Sequence, residues 1–189
     1  GFMSNIFLPG IFKHGIVYTG KRENWEKSDW DKIQITDHQK SLIQLNHNII
    51  EAIAEGVVSG PLEEILDTKI NRLAVFRPDL SNQEIMGVIQ TIHSYLGNQY
   101  DFSFDFNDAE SQVCTEVIYR GYNEIGNIQF GLSKRAGTLN LSAEDVCRYA
   151  INSGNMELVT LVVEDEYRKG KTRFFSPENG VGIILALMN

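Results

Sequence analysis

Strand-like segments come first in this chain and capped helices come later, which limits the folds open to it. Residues 14–19, 49–52 and 72–77 are short runs rich in β-branched and apolar side chains, typical of β-strands. Pro61 and the acids after it suit a helix start, and the clearest helix signals follow after residue 80, where strand-like and helical segments are mixed. A helix-poor first part followed by a mixed second part predicts the α+β class.

Three helices are predicted from the signals at their ends. Ser81 and Glu84 form a capping box in front of apolar side chains at helical spacing, which predicts a helix over residues 81–96. Ser142 caps a second helix that ends before a glycine. A third helix is predicted over residues 112–122, with a cysteine in its first turn.

Shorter strands are predicted from other apolar or β-branched runs. They lie at residues 33–36, 42–46, 158–164, 171–175 and 181–187. The charged residues 21–32 are predicted to form a loop. No internal repeat or low-complexity linker divides the sequence, so we expect a single domain over 1–189, in which residues 123–189 complete the core.

The composition limits the possible partners. The formal net charge is −8 and the sequence pI is near 5.0, which argues against nonspecific binding to nucleic acid or to anionic membranes. No run reaches the ~18 apolar residues that a membrane span needs, and no signal-peptide pattern is visible. We therefore expect a soluble protein, either cytoplasmic or exported after removal of a signal. Membrane association and oligomeric state stay open at this point.

The two cysteines receive different interpretations. Cys114 lies in the first turn of a predicted helix, where the positive end of the helix dipole favours a reactive thiolate. A buried structural thiol is the alternative. Cys147 falls in the middle of an amphipathic helix and is interpreted as structural. Two cysteines cannot form a disulfide framework, and closely spaced Cys and His residues are too few for a structural zinc site.

His14 and Glu51 are candidate partners for a reactive thiol. His14 begins a predicted strand and is followed by Gly15, which leaves space beside the imidazole ring. Glu51 lies in the apolar run 49–52, where a carboxylate is costly unless it has a partner. That partner is either a core arginine or a catalytic histidine, which a carboxylate would orient. The alternatives are an ordinary polar histidine and a glutamate at a sheet edge.

These motifs and their order resemble a known group of enzymes. The run from His14 to Gly20, followed by Ile49-Ile-Glu-Ala, resembles the strand pair of NlpC-type cysteine peptidases. In ordinary members of that superfamily the cysteine helix precedes the histidine strand, whereas here the cysteine follows. This order is similar to that of the circularly permuted papain-like group of the YiiX and YaeF type. The runs Gly97-Asn-Gln-Tyr-Asp-Phe-Ser-Phe and Cys114-Thr-Glu-Val also resemble the signature of that group.

The resemblance covers about residues 9–122 and has two departures. Pro9-Gly10 is followed by Ile11 where the group has an acid, and Thr115 stands where it usually has a serine. The second change is mild. The first leads us to expect that one wall of the site is built differently.

The resemblance implies a role for each motif residue. Cys114 would be the nucleophile, His14 the general base and Glu51 the orienting group. Tyr100 would line the site and either donate to an oxyanion or position the substrate, with simple packing under the cysteine helix as the alternative. Glu116 would be structural, through capping or pairing with an arginine.

The resemblance also implies a fold and an activity. The fold would be a circularly permuted papain-like (NlpC-type) α+β fold, with an antiparallel sheet or small barrel packed against helices. The activity would be hydrolysis of amides in small molecules, peptides or acylated amines, through a thioester acyl-enzyme and without metal or organic cofactor. The alternatives are a lipid acyltransferase or ester hydrolase of the lecithin retinol acyltransferase type, and a catalytically inactive binding domain.

Overall fold

The computed structural model describes residues 10–67, 70–102, 106, 111–135, 137–165 and 171–189. Its contacts divide the chain into two compact units. The larger unit comprises His14–Glu64 and Leu80–Leu141, and the smaller one comprises the described parts of Gly1–Lys13, Ile65–Asp79 and Ser142–Asn189. All four candidate site residues belong to the larger unit.

The described part of the chain contains both strands and helices throughout. The strands are β1 (Val17–Tyr18), β2 (Ile49–Ile53), β3 (Gly56–Gly60), β4 (Arg72–Pro78), β5 (Gln99–Tyr100), β6 (Ser111–Gln112), β7 (Ser133–Arg135), β8 (Thr138–Asn140), β9 (Met156–Glu164) and β10 (Thr172–Phe175). The α-helices are α1 (Lys27–Lys32), α2 (Asp37–Ser41), α3 (Leu62–Leu66), α4 (Asn82–His93), α5 (Cys114–Tyr122), α6 (Ala143–Ser153) and α7 (Pro177–Met188). Small antiparallel sheets accompanied by helices confirm the predicted α+β class.

The larger unit is built on an antiparallel sheet in the order β1-β2-β3. Val17 pairs with Ile50, and Glu51 pairs with Val58. The predicted strand 14–19 is shorter than expected, because only two of its residues are paired with β2. Apolar side chains of this sheet form much of the core: Val17, Ile49, Ile50, Ala52 and Val57.

Helix α5 packs on β2 of this sheet and against α4. The predicted capping box of Ser81 and Glu84 is present at the start of α4. Gly121 on α5 lies against Ile92 on α4, where an added Cβ would be 2.7 Å from Ile92 Cγ2. The absence of a side chain at this position therefore allows the two helices to approach each other.

The insert between β1 and β2 differs from the prediction. Residues 33–36 and 42–46 form no strands, and the predicted loop 21–32 contains a 3₁₀ turn and α1. A second capping box, made by Thr36 and Gln39, starts α2 and supplies local hydrogen bonds in place of a sheet ladder. The insert is anchored on α4: the Gln39 side chain donates to Ser94 O at 2.6 Å, and Trp25 packs against His93.

The smaller unit is a three-stranded antiparallel sheet in the order β10-β9-β4, with α6 and α7 packed on β9. Its core contains Cys147, Leu158, Leu161 and Ile184. The predicted strands 158–164 and 171–175 are confirmed as β9 and β10. The predicted strand 181–187 is wrong, because this segment lies inside α7. Pro177, at the start of α7, has a backbone suited to a helix start.

Within the described residues, none of the helices combines the length and the apolar character that crossing a membrane requires.

Candidate active site

Cys114 is the first residue of α5 and is almost fully buried, with 2% of its surface exposed. A single residue, Val113, separates the end of β6 from this helix. The backbone N–H groups in the first turn of a helix have no partner within the helix, so they are available to an anion. The sequence therefore places the thiol beside donors suited to negative charge, as predicted.

His14 and Glu51 are in direct contact. His14 Nε2 lies 2.5 Å from Glu51 Oε2, and the side chains are 38% and 14% exposed. Glu51 occupies the middle of β2, whose apolar neighbours on either side are buried. The predicted partner of this carboxylate is thus a histidine and not a core arginine.

The same imidazole also interacts electrostatically with the thiol. Burial lowers the pKa of His14, but hydrogen bonds to Cys114 and Glu51 and the negative charges of both groups raise it to about 10. Because Nε2 is engaged by Glu51, Nδ1 is the ring nitrogen left for an interaction with Cys114. A pKa of about 10 corresponds to a ring that is protonated at neutral pH.

Gly15 brings the His14 segment close to α5. An added Cβ at this residue would lie 2.6 Å from Ile118 Cδ1, 3.6 Å from Thr115 Cγ2 and 3.7 Å from Cys114 O. The space predicted beside the imidazole is therefore the contact surface between this segment and the cysteine helix.

Tyr100 lies near Cys114 on β5. Burial, together with the negative charges of Cys114 and Asp101, raises the pKa of Tyr100 to about 12. The phenol therefore keeps its proton and is a hydrogen-bond donor at neutral pH. Its ring also packs against Phe102, with the ring centroids 5.0 Å apart, and Phe102 is 72% exposed.

Glu116 has a structural environment, and its side chain is fully buried. Its Oε1 accepts hydrogen bonds from Arg120 Nε and Nη2 at 2.8 Å and 2.5 Å, and its Oε2 accepts from the Val113 N–H. Burial raises the pKa of Glu116 to about 7, because Arg120 and the N–H offset the loss of hydration only in part.

Arg120 and Asp101 were not predicted from the sequence as neighbours of the site. The sequence contained one signal for Arg120, which follows Glu116 at i+4 on a predicted helix. Asp101 is 3% exposed and raises the pKa values of both Tyr100 and Glu116. Within the ranges that the structure describes, no group of three or more His, Cys, Asp or Glu side chains could hold a metal ion.

The departure at Pro9-Gly10 falls partly outside the described residues, which begin at Gly10. Ile11, which stands where the resembled group has an acid, donates its N–H to Glu144 Oε2 at 2.8 Å. Both residues belong to the smaller unit. This segment is thus held by a glutamate on α6.

A thiol at a helix start, an imidazole and an orienting carboxylate are the arrangement found in cysteine hydrolases. A profile of the permuted papain-like amidase enzymes of the YaeF/YiiX, C92 family matches residues 2–170. The chain belongs to this family, which confirms the resemblance and extends it beyond residue 122. Membership supports a cysteine hydrolase in general terms.

Two relatives from Escherichia coli are similar to this chain. The protein of strain K12 described as uncharacterized protein YiiX is 33% identical over 67 residues, which make up 35% of this chain and 33% of that protein. The aligned part thus spans about a third of that relative's length. The crystal structure described as metalloprotein yiiX from strain O157:H7 aligns with 87% of this chain and 96% of its own, at 20% identity and a TM-score of 0.39.

Proposed function

We propose that this protein is a cysteine-dependent amide hydrolase whose triad is Cys114, His14 and Glu51. The observation that carries the proposal is the position of His14, whose Nε2 lies 2.5 Å from Glu51 Oε2 while Cys114 is among the groups that raise the pKa of the same ring. The carboxylate holds the ring in one orientation and stabilises its positive charge. In the reactive state the thiol has given its proton to this imidazole, so that a thiolate lies beside an imidazolium.

The first half of the reaction acylates the enzyme. Cys114 Sγ attacks the amide carbonyl carbon, a C–S bond forms, and the carbonyl electron pair moves to oxygen. The Tyr100 hydroxyl and the Cys114 N–H donate hydrogen bonds to this oxyanion. The C–N bond then breaks as His14 Nδ1 gives its proton to the leaving amine, which leaves a thioester and a neutral imidazole.

The second half hydrolyses the thioester. His14 Nδ1 takes a proton from a water molecule, whose oxygen attacks the thioester carbonyl. When the second oxyanion collapses, the C–S bond breaks, the carboxylic acid leaves and the Cys114 thiolate is restored beside the imidazolium. Neither half requires a metal or an organic cofactor. The substrate class is an amide of a small molecule, a peptide or an acylated amine.

Phe102 favours a second candidate function in which the acyl group is a lipid chain. An aromatic ring that is 72% exposed and packed on Tyr100 offers apolar surface beside the proposed oxyanion donor. An acyltransferase or ester hydrolase would use the same nucleophile and the same acyl-enzyme. The two candidates differ in whether long acyl chains and ester leaving groups raise kcat/KM above that of short amides.

Labelling with a library of acyl electrophiles, followed by mass spectrometry of the adduct, tests the proposal. We expect the adduct on Cys114, with amide-type probes labelling fastest and the reaction lost in Cys114→Ala and His14→Ala. Cys147→Ala is the matched control and should label normally, because burial raises the pKa of this thiol to about 12. Amide hydrolysis by purified Cys114→Ala protein would refute the triad.

The alkylation rate of Cys114 separates an enzyme from a binding domain. Iodoacetamide should alkylate Cys114 faster than free cysteine, because the imidazolium stabilises the thiolate. Alkylation no faster than that of free cysteine would instead favour the inactive binding domain.

A further inference from the structure

Glu116 is an unusual residue to find in the first turn of the cysteine helix, because its carboxylate is completely buried. Burying an ion pair carries a desolvation cost that its attraction offsets only when the geometry is good and the remaining lone pairs are satisfied. Here both oxygens are used: Arg120 donates twice to Oε1, and the Val113 N–H donates to Oε2 at 3.3 Å. These bonds fix the carboxylate in one position.

The backbone group that Glu116 holds lies at a junction. Val113 is the only residue between β6 and α5, and Cys114 follows it directly. On the other side of the junction, β6 pairs in parallel with β5, so that Tyr100 lies opposite Gln112. The bond to Val113 therefore fixes the point where the chain turns from the strand that faces Tyr100 into the helix that begins with the nucleophile.

Arg120 ties a second segment to this junction. Besides its two bonds to Glu116, Arg120 Nη2 donates to Phe106 O at 3.2 Å. Phe106 lies in the chain between Tyr100 and Cys114, and its ring packs edge-on against Tyr119, with centroids 5.6 Å apart. One guanidinium thus connects the cysteine helix to the segment that leads into it from Tyr100.

From these contacts we infer that Glu116 and Arg120 are positioning residues of the active site, which set the placement of the Cys114 thiol and N–H relative to the Tyr100 hydroxyl. The inference rests on the proposed amidase function. Neither residue touches the substrate. Both act through Val113 and Phe106, so their loss moves the reacting groups apart without removing any of them.

The chain contains a matched control on α6. Glu144 and Arg148 have the same i,i+4 spacing, and Arg148 Nη2 donates to Glu144 Oε1 at 3.0 Å. The other oxygen of Glu144 also accepts a backbone N–H, that of Ile11, at 2.8 Å. This pair belongs to the smaller unit, outside the unit that holds the site residues. The same substitutions at both pairs therefore separate loss of an ion pair from loss of site geometry.

The test compares Glu116→Gln, Glu116→Ala and Arg120→Lys with Glu144→Gln, Glu144→Ala and Arg148→Lys. We expect Glu116→Ala to lower kcat by about 100-fold with KM little changed, the effect of displacing reacting groups by about 1 Å. Glu116→Gln should recover only part of this loss, because its single amide oxygen can accept from Val113 or from Arg120 but not from both. Arg120→Lys should lower kcat by about tenfold, since lysine keeps the charge but not the fork of donors. The α6 variants should stay within about twofold of wild type.

Two further measurements keep the test decisive. Melting temperatures identify variants that are partly unfolded. If Glu116→Ala does not fold, Glu116→Gln and Arg120→Lys provide the comparison. The alkylation rate of Cys114, measured in a Cys147→Ala background, should fall in the α5 variants and not in the α6 variants. Folded α5 variants with wild-type kcat and alkylation rates would overturn the inference. If the wild-type protein hydrolyses no amide, the proposed function is refuted instead. The alkylation rates of the α5 and α6 variants would still test the positioning role.

Discussion

Replacing Gly15 with alanine tests how the chain holds His14 beside Cys114. The added Cβ would lie 2.6 Å from Ile118 Cδ1. Carbon atoms in favourable contact are about 3.5–4.0 Å apart, so roughly 1 Å of separation has to be gained. The remaining neighbours, Thr115 Cγ2 at 3.6 Å and Cys114 O at 3.7 Å, are already at ordinary distances. The conflict is therefore confined to one methyl group.

The size of the effect on kcat depends on which of the two groups moves to relieve the contact. Ile118 is buried, and we expect the packed surroundings to leave its Cδ1 little room to rotate away about χ2, so that the Gly15 segment has to move. This segment carries His14, and a displacement of about 1 Å between reacting groups can cost about 100-fold in rate. Overpacking should also lower the free energy of unfolding by about 1–3 kcal/mol. We therefore expect Gly15→Ala to reduce kcat by about 100-fold in a protein that is still folded.

A second substitution makes this prediction specific. Ile118→Val removes Cδ1, the atom in conflict, and should by itself lower the free energy of unfolding by only about 0.5–1.5 kcal/mol. In the double variant, kcat should return to within a few-fold of the Ile118→Val value. Gly87→Ala is the control, because nothing lies within 4 Å of its added Cβ. Wild-type kcat in folded Gly15→Ala, or failure of Ile118→Val to restore activity, would refute this account of the contact.

Three other substitutions test individual groups of the site. Glu51→Gln removes a negative charge that helps to raise the pKa of His14 to about 10, so the alkaline limb of the pH–rate profile should move to lower pH while kcat falls without vanishing. An unchanged alkaline limb would contradict the orienting role. Tyr100→Phe should lower kcat by about 10²–10³-fold with KM little changed if the hydroxyl donates to the oxyanion; a purely packing role would leave kcat intact. Phe102→Ala should lower kcat/KM more for long-chain than for short-chain acyl amides if this ring binds the acyl group, and equal effects would remove support for the lipid candidate.

Elements fixed by local hydrogen bonds could be predicted from the sequence. The capping boxes at Ser81 and Ser142 start helices where expected, because both partners of each bond lie within four residues. Gly154 ends the second of these helices with a φ of 73°, in the left-handed region that glycine favours. The strand at residues 49–52 was predictable because its apolar run is buried on both faces of a sheet.

Elements that depend on distant partners could not be predicted. The apolar run 181–187 suits a strand or a buried helix equally well, and its packing on β9 decides the outcome. The parallel pairing of β5 with β6 joins short segments of two residues each, which have no pattern of their own. In the insert, the Thr36–Gln39 capping box was a local signal, but the β-branched residues around it favoured a strand prediction.

Contacts between residues that are distant in sequence also limited the prediction of the site. Cys114, His14 and Glu51 were named from motifs, and the order of those motifs indicated the family. The contact between His14 and Glu51, and the use of Nε2 for it, depend on the pairing of β1 with β2. Arg120 escaped notice because its importance comes from the Phe106 carbonyl, which no sequence pattern connects to it.

The ladder between β4 and β9 has a consequence for how the chain is made. β4 ends at Pro78, whereas its pairing partner β9 begins at Met156, so the whole second part of the larger unit is synthesised between them. At a synthesis rate of about 5–20 residues per second, roughly 4–16 s pass between the synthesis of Pro78 and that of Met156. During this time β4 is an unpaired edge of partly apolar residues, the kind of surface that promotes association between nascent chains. The charged residues Arg72 and Arg77, near its two ends, oppose such association. By the time β9 is synthesised, all residues of the larger unit, including Cys114, have already been made.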